Sequence, residues 1–470
     1  MSDAVRRMSG TPHRLAAGGR DYRWTVLAVL FVVHLFSAMD RTIVQILGQA
    51  IKVELRLADW QLGLLGGLAF SLLYVGLGFP LARLADSGPR VRIITLCMLL
   101  WSVMTSLCGL AGGFAQLVLF RMGVGVGEAG CLPTSHSLIG DYFPPGIRAT
   151  ALSLFGIGLP MGALLGTMLG GLVMDQWGWR AAFLIVGVPG VAVALLAWLV
   201  VREPPRGRFD PPGTVDTHGS LSFGACVRLL ARSPVARNVL IAVTLSGVFT
   251  SPTSVFLAPY LIRRFGLGYG ELGLIIAGTF MLGAVISTLG SGMLVDWAGK
   301  RDVRWYMGVP AIGCFVCVPL YVAAYSQSNW VALVVLLGLG SVAGSAYLAP
   351  SFAVLHNLVP SAARAKTTAI LQLLLNLIGL GLGPLLCGIA IDTVAGGLFT
   401  SPGGSFGTLC PGGQAQEGSY AALQAECRAA VVSATQYVLI AFSLLALWPA
   451  FHFLVAALRL GRPKAPHSAV

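Results

Sequence analysis

The sequence predicts an all-α integral membrane protein whose twelve transmembrane helices form two pseudo-symmetric bundles of six. Three observations carry that prediction. Apolar runs of about 18 residues or more recur along the whole chain. With 56% hydrophobic and 10% charged residues among 470, the apolar surface exceeds what a soluble protein of this size can bury. The basic residues gather in alternate loops, and the second half repeats loop signals of the first at an offset of about 210–217 residues. Such internal repeats mark a duplicated membrane fold.

Taken in order, the apolar segments are 24–48, 60–84, 91–112, 115–140, 149–174, 179–201, 238–262, 271–295, 305–325, 330–356, 366–392 and 433–457. Their alternation puts the N-terminus, 85–92, 141–148, 202–237, 296–304, 357–365 and the C-terminus on one side. All but eight of the 31 Lys and Arg fall there; the exceptions are Arg41, Lys52, Arg56, Arg121, Arg180, Arg263, Arg264 and Arg428. The positive-inside rule then places both termini in the cytoplasm and the chain in the inner (plasma) membrane. The net charge of +13 is thereby topological, and nucleic acid is excluded as a partner.

The organisation that follows is a cytoplasmic arm 1–22, a first bundle 23–201, a cytoplasmic linker 202–237, a second bundle 238–458 with an external loop 394–432, and a tail 459–470. The linker carries Pro204, Pro205, Pro211 and Pro212. The arm is polar and basic with no apolar core, so it is not a signal peptide, and the first membrane segment serves as an uncleaved signal. Short termini and the lack of an N-x-[ST] acceptor point to a bacterial source. Nothing in the sequence requires more than a monomer.

Several chemistries are excluded. Seven of the nine Cys lie in or beside apolar segments without metal-ligand spacing, no His-Glu-x-x-His motif occurs, and no metal or other cofactor is expected. G-x-G-x-x-G at Gly125 to Gly130 sits inside a membrane segment, without the preceding strand a dinucleotide site needs. G-x-S-x-G at Gly403 to Gly407 sits in a Gly-rich loop, not at a strand-to-helix turn. Gly299-Lys300 is followed by Arg301, so there is no phosphate-binding loop, and an ion gradient is the expected drive. An integral-membrane enzyme would need a cluster of His or carboxylates at one interface, and none is found. Cys410 and Cys427 share the external loop; in an oxidising periplasm they form a disulfide, or else both thiols are free.

The stretch RMGVGVGEAG, Arg121 to Gly130, is the centre of the functional reading. Arg121 and Glu128 are close to two helical turns apart and share one face at a separation of roughly 10 Å. Gly123, Gly125 and Gly127 are read as thinning that face for another helix. With Asp40 and Arg41, and with His34 on the same side of the first segment, they make an intramembrane group of two acids and two bases. Buried charges mark a pathway or proton site, or else a structural ion pair. Burial favours a neutral acid and a nearby guanidinium favours the carboxylate, and that balance can make a proton site. The expected roles are Glu128 as proton carrier, Asp40 as second carboxylate, Arg41 as ligand of an anionic substrate group through its planar fork, and Arg121 as tuner of Glu128. His34 is a polar filler or a switch.

The second half supplies neutral polar groups: Ser246, Thr250, Ser251, Thr253, Tyr260, Tyr347, Gln372 and Asn376. Tyr347, Asn376, Gln372, His34 and Arg121 join Arg41 as candidate substrate contacts. Beside a large apolar wall they suggest an amphipathic anion as cargo. Gly158, Gly162, Gly166 and Gly170, and Gly379, Gly381 and Gly383, read as packing surfaces, with Pro160 and Pro384 as bends.

The repeated loops are ARLADSGPRVR, Ala82 to Arg92, against GMLVDWAGKR, Gly292 to Arg301, and FPPGIRATA, Phe143 to Ala151, against VPSAARAKT, Val359 to Thr367. On these loops, the twelve segments and the six-plus-six division, the chain resembles the major facilitator superfamily over essentially all its length after residue 20. Asp296, Gly299, Lys300 and Arg301 match the loop motif well; in the first copy Asp86 and Arg90 remain, while Ala82 and Ser87 depart from it. Asp40-Arg41, Gly125 to Ala129 and Asn376 to Asp392 make it similar to the Spinster-type branch. The resemblance implies alternating access, with Asp86, Arg90, Arg148, Asp296, Lys300, Arg301 and Arg364 as gating residues that pair across the halves or cap helices. It also implies lysophospholipids or phosphorylated sphingoid lipids as cargo, or another organic anion. The expected function is a proton-coupled symporter or exchanger whose partners are that anion, protons and membrane lipid. The alternatives are an uncoupled facilitator of small organic anions and a transporter-like sensor.

Overall fold

A computed structural model describes residues 20–209, 222–360, 363–402, 404–416 and 418–460, without certain side chains inside helices, that of Asp86 among them. All regular structure among the described residues is helical. In the first half α1 is Arg20–Glu54, α2 is Asp59–Gly66 with Leu68–Ser87, α3 is Arg90–Cys108, and α4 is Phe114–Ala129 with Cys131–Tyr142. α5 starts as Pro145–Gly156 and continues into the run Gly158–Val200, which turns back at Gly178 and returns as α6. Gly178 has a φ of 79°, a conformation that a side chain disfavours. In the second half α7 is Pro234–Phe265, α8 is Tyr269–Gly299, α9 is Trp305–Tyr325, and α10 is Trp330–Gly344 with Leu348–Asn357. α11 runs as Arg364–Leu374, a π-helical stretch Leu375–Leu382, and Gly383–Leu398; α12 is Ala421–Leu444 with Leu447–Leu460. These are the twelve crossings of two six-helix halves.

Two boundaries differ from the sequence reading. The linker holds a helix, Phe223–Arg232, N-capped by Ser222, and α7 begins at Pro234. Apolar-run counting misses it because a ten-residue helix with two arginines is too short and polar to span a membrane. The loop 394–432 read as external shortens as well, because α11 reaches Leu398 and α12 starts at Ala421. The first turns of α12 are polar but rich in good helix formers such as Ala, Leu and Gln. Its Cys427 is joined to Cys410, with Cα atoms 5.7 Å apart.

The glycine row of α5 lies on α1. A Cβ at Gly162 would strike the carbonyl of Leu35, one at Gly166 would lie 2.7 Å from Met39 Cα, and one at Gly170 would meet Ile43 and Ile46. Helices can approach this closely only where side chains are absent. The same device joins the halves at the end away from the termini. Gly63 packs on the Pro384 backbone, Gly388 on that of Asp59, Gly171 on Tyr269 and Gly273 on Thr167. At the other end, Cys131–Tyr142, Pro145–Gly156, Leu348–Asn357 and Arg364–Leu374 pack within their own halves. The molecule is closed at one end and parted at the other.

Candidate functional site

α1 and α4 bring Asp40, Arg41, Arg121 and Glu128 together as two ion pairs. Glu128 Oε2 accepts from Arg41 Nε at 2.6 Å and from Ser37 Oγ at 2.7 Å. Asp40 Oδ2 accepts from Arg121 Nη1 at 3.0 Å, and its Oδ1 from Thr105 Oγ1 at 2.5 Å. Arg121 therefore serves Asp40, not Glu128. Two turns along one helix separate Arg121 from Glu128 by roughly 10 Å, whereas α1 offers each of them a partner at its own level.

Exposure separates the two pairs. Asp40, Arg121 and Glu128 are buried, while the Arg41 side chain keeps 31% of its surface. Arg121, read as a candidate substrate contact, is buried against Asp40 in this conformation. Arg41 lies over Phe70 and Tyr74, 4.8 and 4.9 Å from their ring centres, and these faces hold the guanidinium plane. Glu128 Oε1 and Arg121 Nε are buried without a hydrogen-bond partner. Of the three glycines between the charges, Gly125 lies on the charged face and lets the α2 backbone approach it, while Gly123 and Gly127 do not. Gly123 and Gly127 turn to Met104 and Trp101 of α3, and Gly125 to the backbone of Phe70 in α2. At about 100° per residue, 123 and 127 fall on the side of the helix opposite 121.

A cavity of about 380 Å³ lies between the halves, lined among others by Thr42, Gln45, Thr250, Ser254, Tyr321 and Ser345. Pro160, just past the break of α5 at Ile157, also lines it. Of the neutral polar groups read from the second half, Thr250, Ser251 and Thr253 face this cavity. Ser246 is fully buried and donates to Ala242 O within its own helix, and Tyr260 is buried against Tyr325. Tyr347, Gln372 and Asn376 lie outside the cavity lining. Tyr347 sits at the break of α10 near Phe453, and Asn376 donates to Gln372 O at 2.8 Å and to its Oε1 at 3.2 Å. His34 stacks on Phe155 at 4.5 Å, with His136 against the same ring at 5.5 Å. Ser254, Ser341 and Ser345 were missed; their signal is hydroxyls three or four residues apart on apolar helices, as in Ser251/Ser254 and Ser341/Ser345. Pro384 opens the straight part of α11 directly after the π-helical stretch, where Ser251 Oγ donates to Gly379 O at 2.9 Å.

Residues 30–384 match the Major Facilitator Superfamily. The chain belongs to that superfamily. It is 30% identical over 371 residues to an "MFS-type efflux pump" of Mycolicibacterium smegmatis, a match covering 79% of this chain and 85% of the relative. It is 26% identical to the "Cis,cis-muconate transport protein" of Acinetobacter baylyi over 66% of this chain and 74% of that one. The crystal structure of a bacterial homolog to the human lysosomal transporter Spinster, inward-facing and unoccupied, superposes with a TM-score of 0.84 at 30% identity, covering 95% of this chain and all of that one. The Spinster-type resemblance read from the sequence is upheld. The chain is a membrane transporter and not an enzyme.

In this transporter the closed end converges on Asp59, a residue the sequence reading did not single out. Its carboxylate takes Lys52 Nζ at 2.5 Å and Arg263 Nη2 at 2.7 Å. Arg263 also donates to Gln49 Oε1 at 2.8 Å and to Thr435 Oγ1 at 3.1 Å, so α1, α2, α7 and α12 meet there. Asp392 at the end of α11 accepts the N–H groups of Asp59 and Trp60 that open α2, at 3.0 and 2.8 Å. Its counterpart Asp175 at the end of α5 accepts those of Tyr269 and Gly270 that open α8, at 3.2 and 2.7 Å. Each carboxylate meets the positive end of a helix in the opposite half. The motif positions are spaced for this, but only the fold reveals that the caps are exchanged between halves.

The loop residues at the parted end act within their own halves here. Arg90 is buried and bonds Glu203 at 2.7 Å, Asp141, and Pro204 O at 2.9 Å, which ties the start of the linker to the first bundle instead of reaching across. Arg148 donates to Gly140 O and Phe143 O at the end of α4, and Arg364 to His356 O at the end of α10. The repeated Arg thus caps the preceding helix in each half. Asp296 accepts weakly from Tyr306 Oη at 3.4 Å, Arg301 lies over Trp297 at 4.5 Å, and Lys300 caps the end of α8. The Asp86 side chain lies outside the described residues.

Proposed function

We propose that this chain is a proton-coupled secondary transporter that moves an amphipathic organic anion by alternating access. The observation that carries the reading is the Arg41–Glu128 pair. Arg41 is the partly exposed member of the charged quartet, and Glu128 holds it from behind through one oxygen while its other oxygen is unpartnered. A proton on Glu128 removes the charge that engages Arg41. The guanidinium then becomes available to a carboxylate or phosphate, with its plane set by Phe70 and Tyr74. Proton and anion bind together in this scheme, which favours symport. Asp40, held by Arg121 and Thr105, acts as the second carboxylate and fixes the height of α1 against α4.

The moving bodies are the two six-helix halves, α1–α6 and α7–α12, joined by the linker that ends at Pro234, with the N-terminal arm and the C-terminal tail on the cytoplasmic side of the inner membrane. The parted end then faces the cytoplasm and the closed end the periplasm. A cavity of hydroxyls and apolar walls suits a cargo that is charged at one end and apolar at the other. The muconate relative supports an organic anion, and the Spinster-type resemblance supports a lysophospholipid or sphingoid-like lipid.

Uptake into proteoliposomes across a pH gradient, with a panel of lysophospholipids and organic anions, tests the reading. Wild type should accumulate substrate on the gradient, while Glu128→Gln should bind it yet no longer respond to pH. Full proton-driven transport by Glu128→Gln would remove Glu128 from the mechanism. Transport by both proteins that ignores the gradient would make the chain a facilitator.

A further inference from the structure

A second cavity, of about 490 Å³, lies apart from the central one. It forms where the linker helix Phe223–Arg232 lies against the termini-side ends of α7 and α11, and it shares no lining residue with the central cavity. The helix is amphipathic. Cys226 and Leu230 anchor it, with Cys226 Sγ 3.5 Å from Thr367 Oγ1. Phe223, Val227, Leu230 and Ala231, at helical spacing i, i+4, i+7 and i+8, form the stripe that faces the groove. Ile241 and Leu373 complete its wall, and Val227, Ile241 and Leu373 keep 37–40% of their surface.

One charged side chain, Arg237, lines this groove; it is exposed, and among the described residues no carboxylate pairs with it. Arg228 and Arg232 on the same linker helix are exposed as well, and the sequence from Phe223 to Arg237 contains no acid. The groove offers an inserted chain almost nothing to hydrogen-bond, since the hydroxyl of Thr244 already donates to Leu240 O. A peptide backbone placed there would leave its N–H and C=O groups unsatisfied, whereas a hydrocarbon chain needs no partners. A basic rim above an apolar slot between membrane helices matches an anionic headgroup with its acyl chain below.

We infer that this groove is a resident site for an anionic glycerophospholipid of the termini-side leaflet, with an acyl chain against α7 and α11 and its phosphate on Arg237. The inference is independent of the cargo and of proton coupling. Bound this way, the lipid docks the linker helix onto the second half.

The test is native mass spectrometry of the full-length protein titrated with dioleoyl-phosphatidylglycerol or dioleoyl-phosphatidylcholine. Wild type should hold one phosphatidylglycerol in preference to phosphatidylcholine. Arg237→Gln, a surface change, should weaken phosphatidylglycerol about fivefold, the effect of one basic contact near a lipid headgroup, and should leave phosphatidylcholine unchanged. Ile241→Trp, which fills the slot, should remove the bound lipid, while Arg92→Gln on the same side should leave it. Thr250→Trp, which fills the central cavity, should also leave it. Equal affinity for the two lipids in wild type, or an Arg237→Gln protein indistinguishable from it, would overturn the site. So would lipid that survives Ile241→Trp but is lost in Thr250→Trp, which would place it in the central cavity.

Discussion

Asp59→Asn tests the latch at the closed end most directly. In the closed arrangement Lys52, Asp59 and Arg263 are almost wholly buried, with side-chain exposures of 1%, 0% and 4%. Together with Asp392 they sum to zero formal charge. Asparagine leaves one positive charge uncompensated in a site that water does not reach, and breaking a buried pair in this way costs about 3–5 kcal/mol. The cost falls on the closed arrangement only, because opening returns these groups to water. At about 1.4 kcal/mol per decade, the closed-to-open ratio should drop between about a hundredfold and a few thousandfold. Labelling of Leu257→Cys, which lines the cavity on the α7 stretch leading to Arg263, by a membrane-impermeant maleimide outside whole cells reads that ratio. The rate should rise at least about tenfold in the Asp59→Asn background. The double variant Asp59→Asn with Lys52→Gln restores neutrality and should recover much of the protection. A well-folded Asp59→Asn protein labelled at the wild-type rate would refute the latch, and failure of the double variant to recover would refute charge balance as its basis.

Three further outcomes follow from the same geometry. Arg41→Lys keeps the charge but loses the planar fork between Phe70 and Tyr74, so substrate affinity should fall about tenfold in a binding titration; unchanged affinity would remove Arg41 from the anion site. Asp40→Asn and Arg121→Gln should each destabilise the protein by about 3–5 kcal/mol, because each strands the other's buried charge, and the double variant should cost less than the sum of the two; additive losses in thermal unfolding would show the pair to be uncoupled. Cys410→Ser with Cys427→Ser should lower thermal stability by about 2–4 kcal/mol, since the 17-residue separation closes the loop whose Gly412 and Gly413 pack over Arg56 and Lys52. A melting curve insensitive to reductant would count against that bond in the purified protein.

The sequence by itself determined the membrane class, the twelve crossings, the duplication and the presence of four titratable groups within apolar helices. Each follows from one-dimensional signals: length of apolar runs, placement of basic residues, and recurrence of short motifs. The spacing of Arg121 and Glu128 also showed that they share a face. Only the tertiary structure decided their partners, because side chains two turns apart on one helix are too distant to pair and a neighbouring helix supplies the counter-charge. The same reason explains why Asp59, Lys52 and Arg263 went unrecognised as a unit. They come from three helices of two halves, up to 211 residues apart from Lys52 to Arg263, and close packing through paired glycines brings them together. Tyr347, Gln372 and Asn376 were drawn to the cavity by composition; its lining does not include them, and Tyr347 reaches it only through its hydrogen bond with Thr250. The linker helix is legible in its own residues, but its groove exists only where α7 and α11 complete it. Which face a membrane helix shows to its neighbour is set by packing among all twelve, and no single stretch of sequence contains that information.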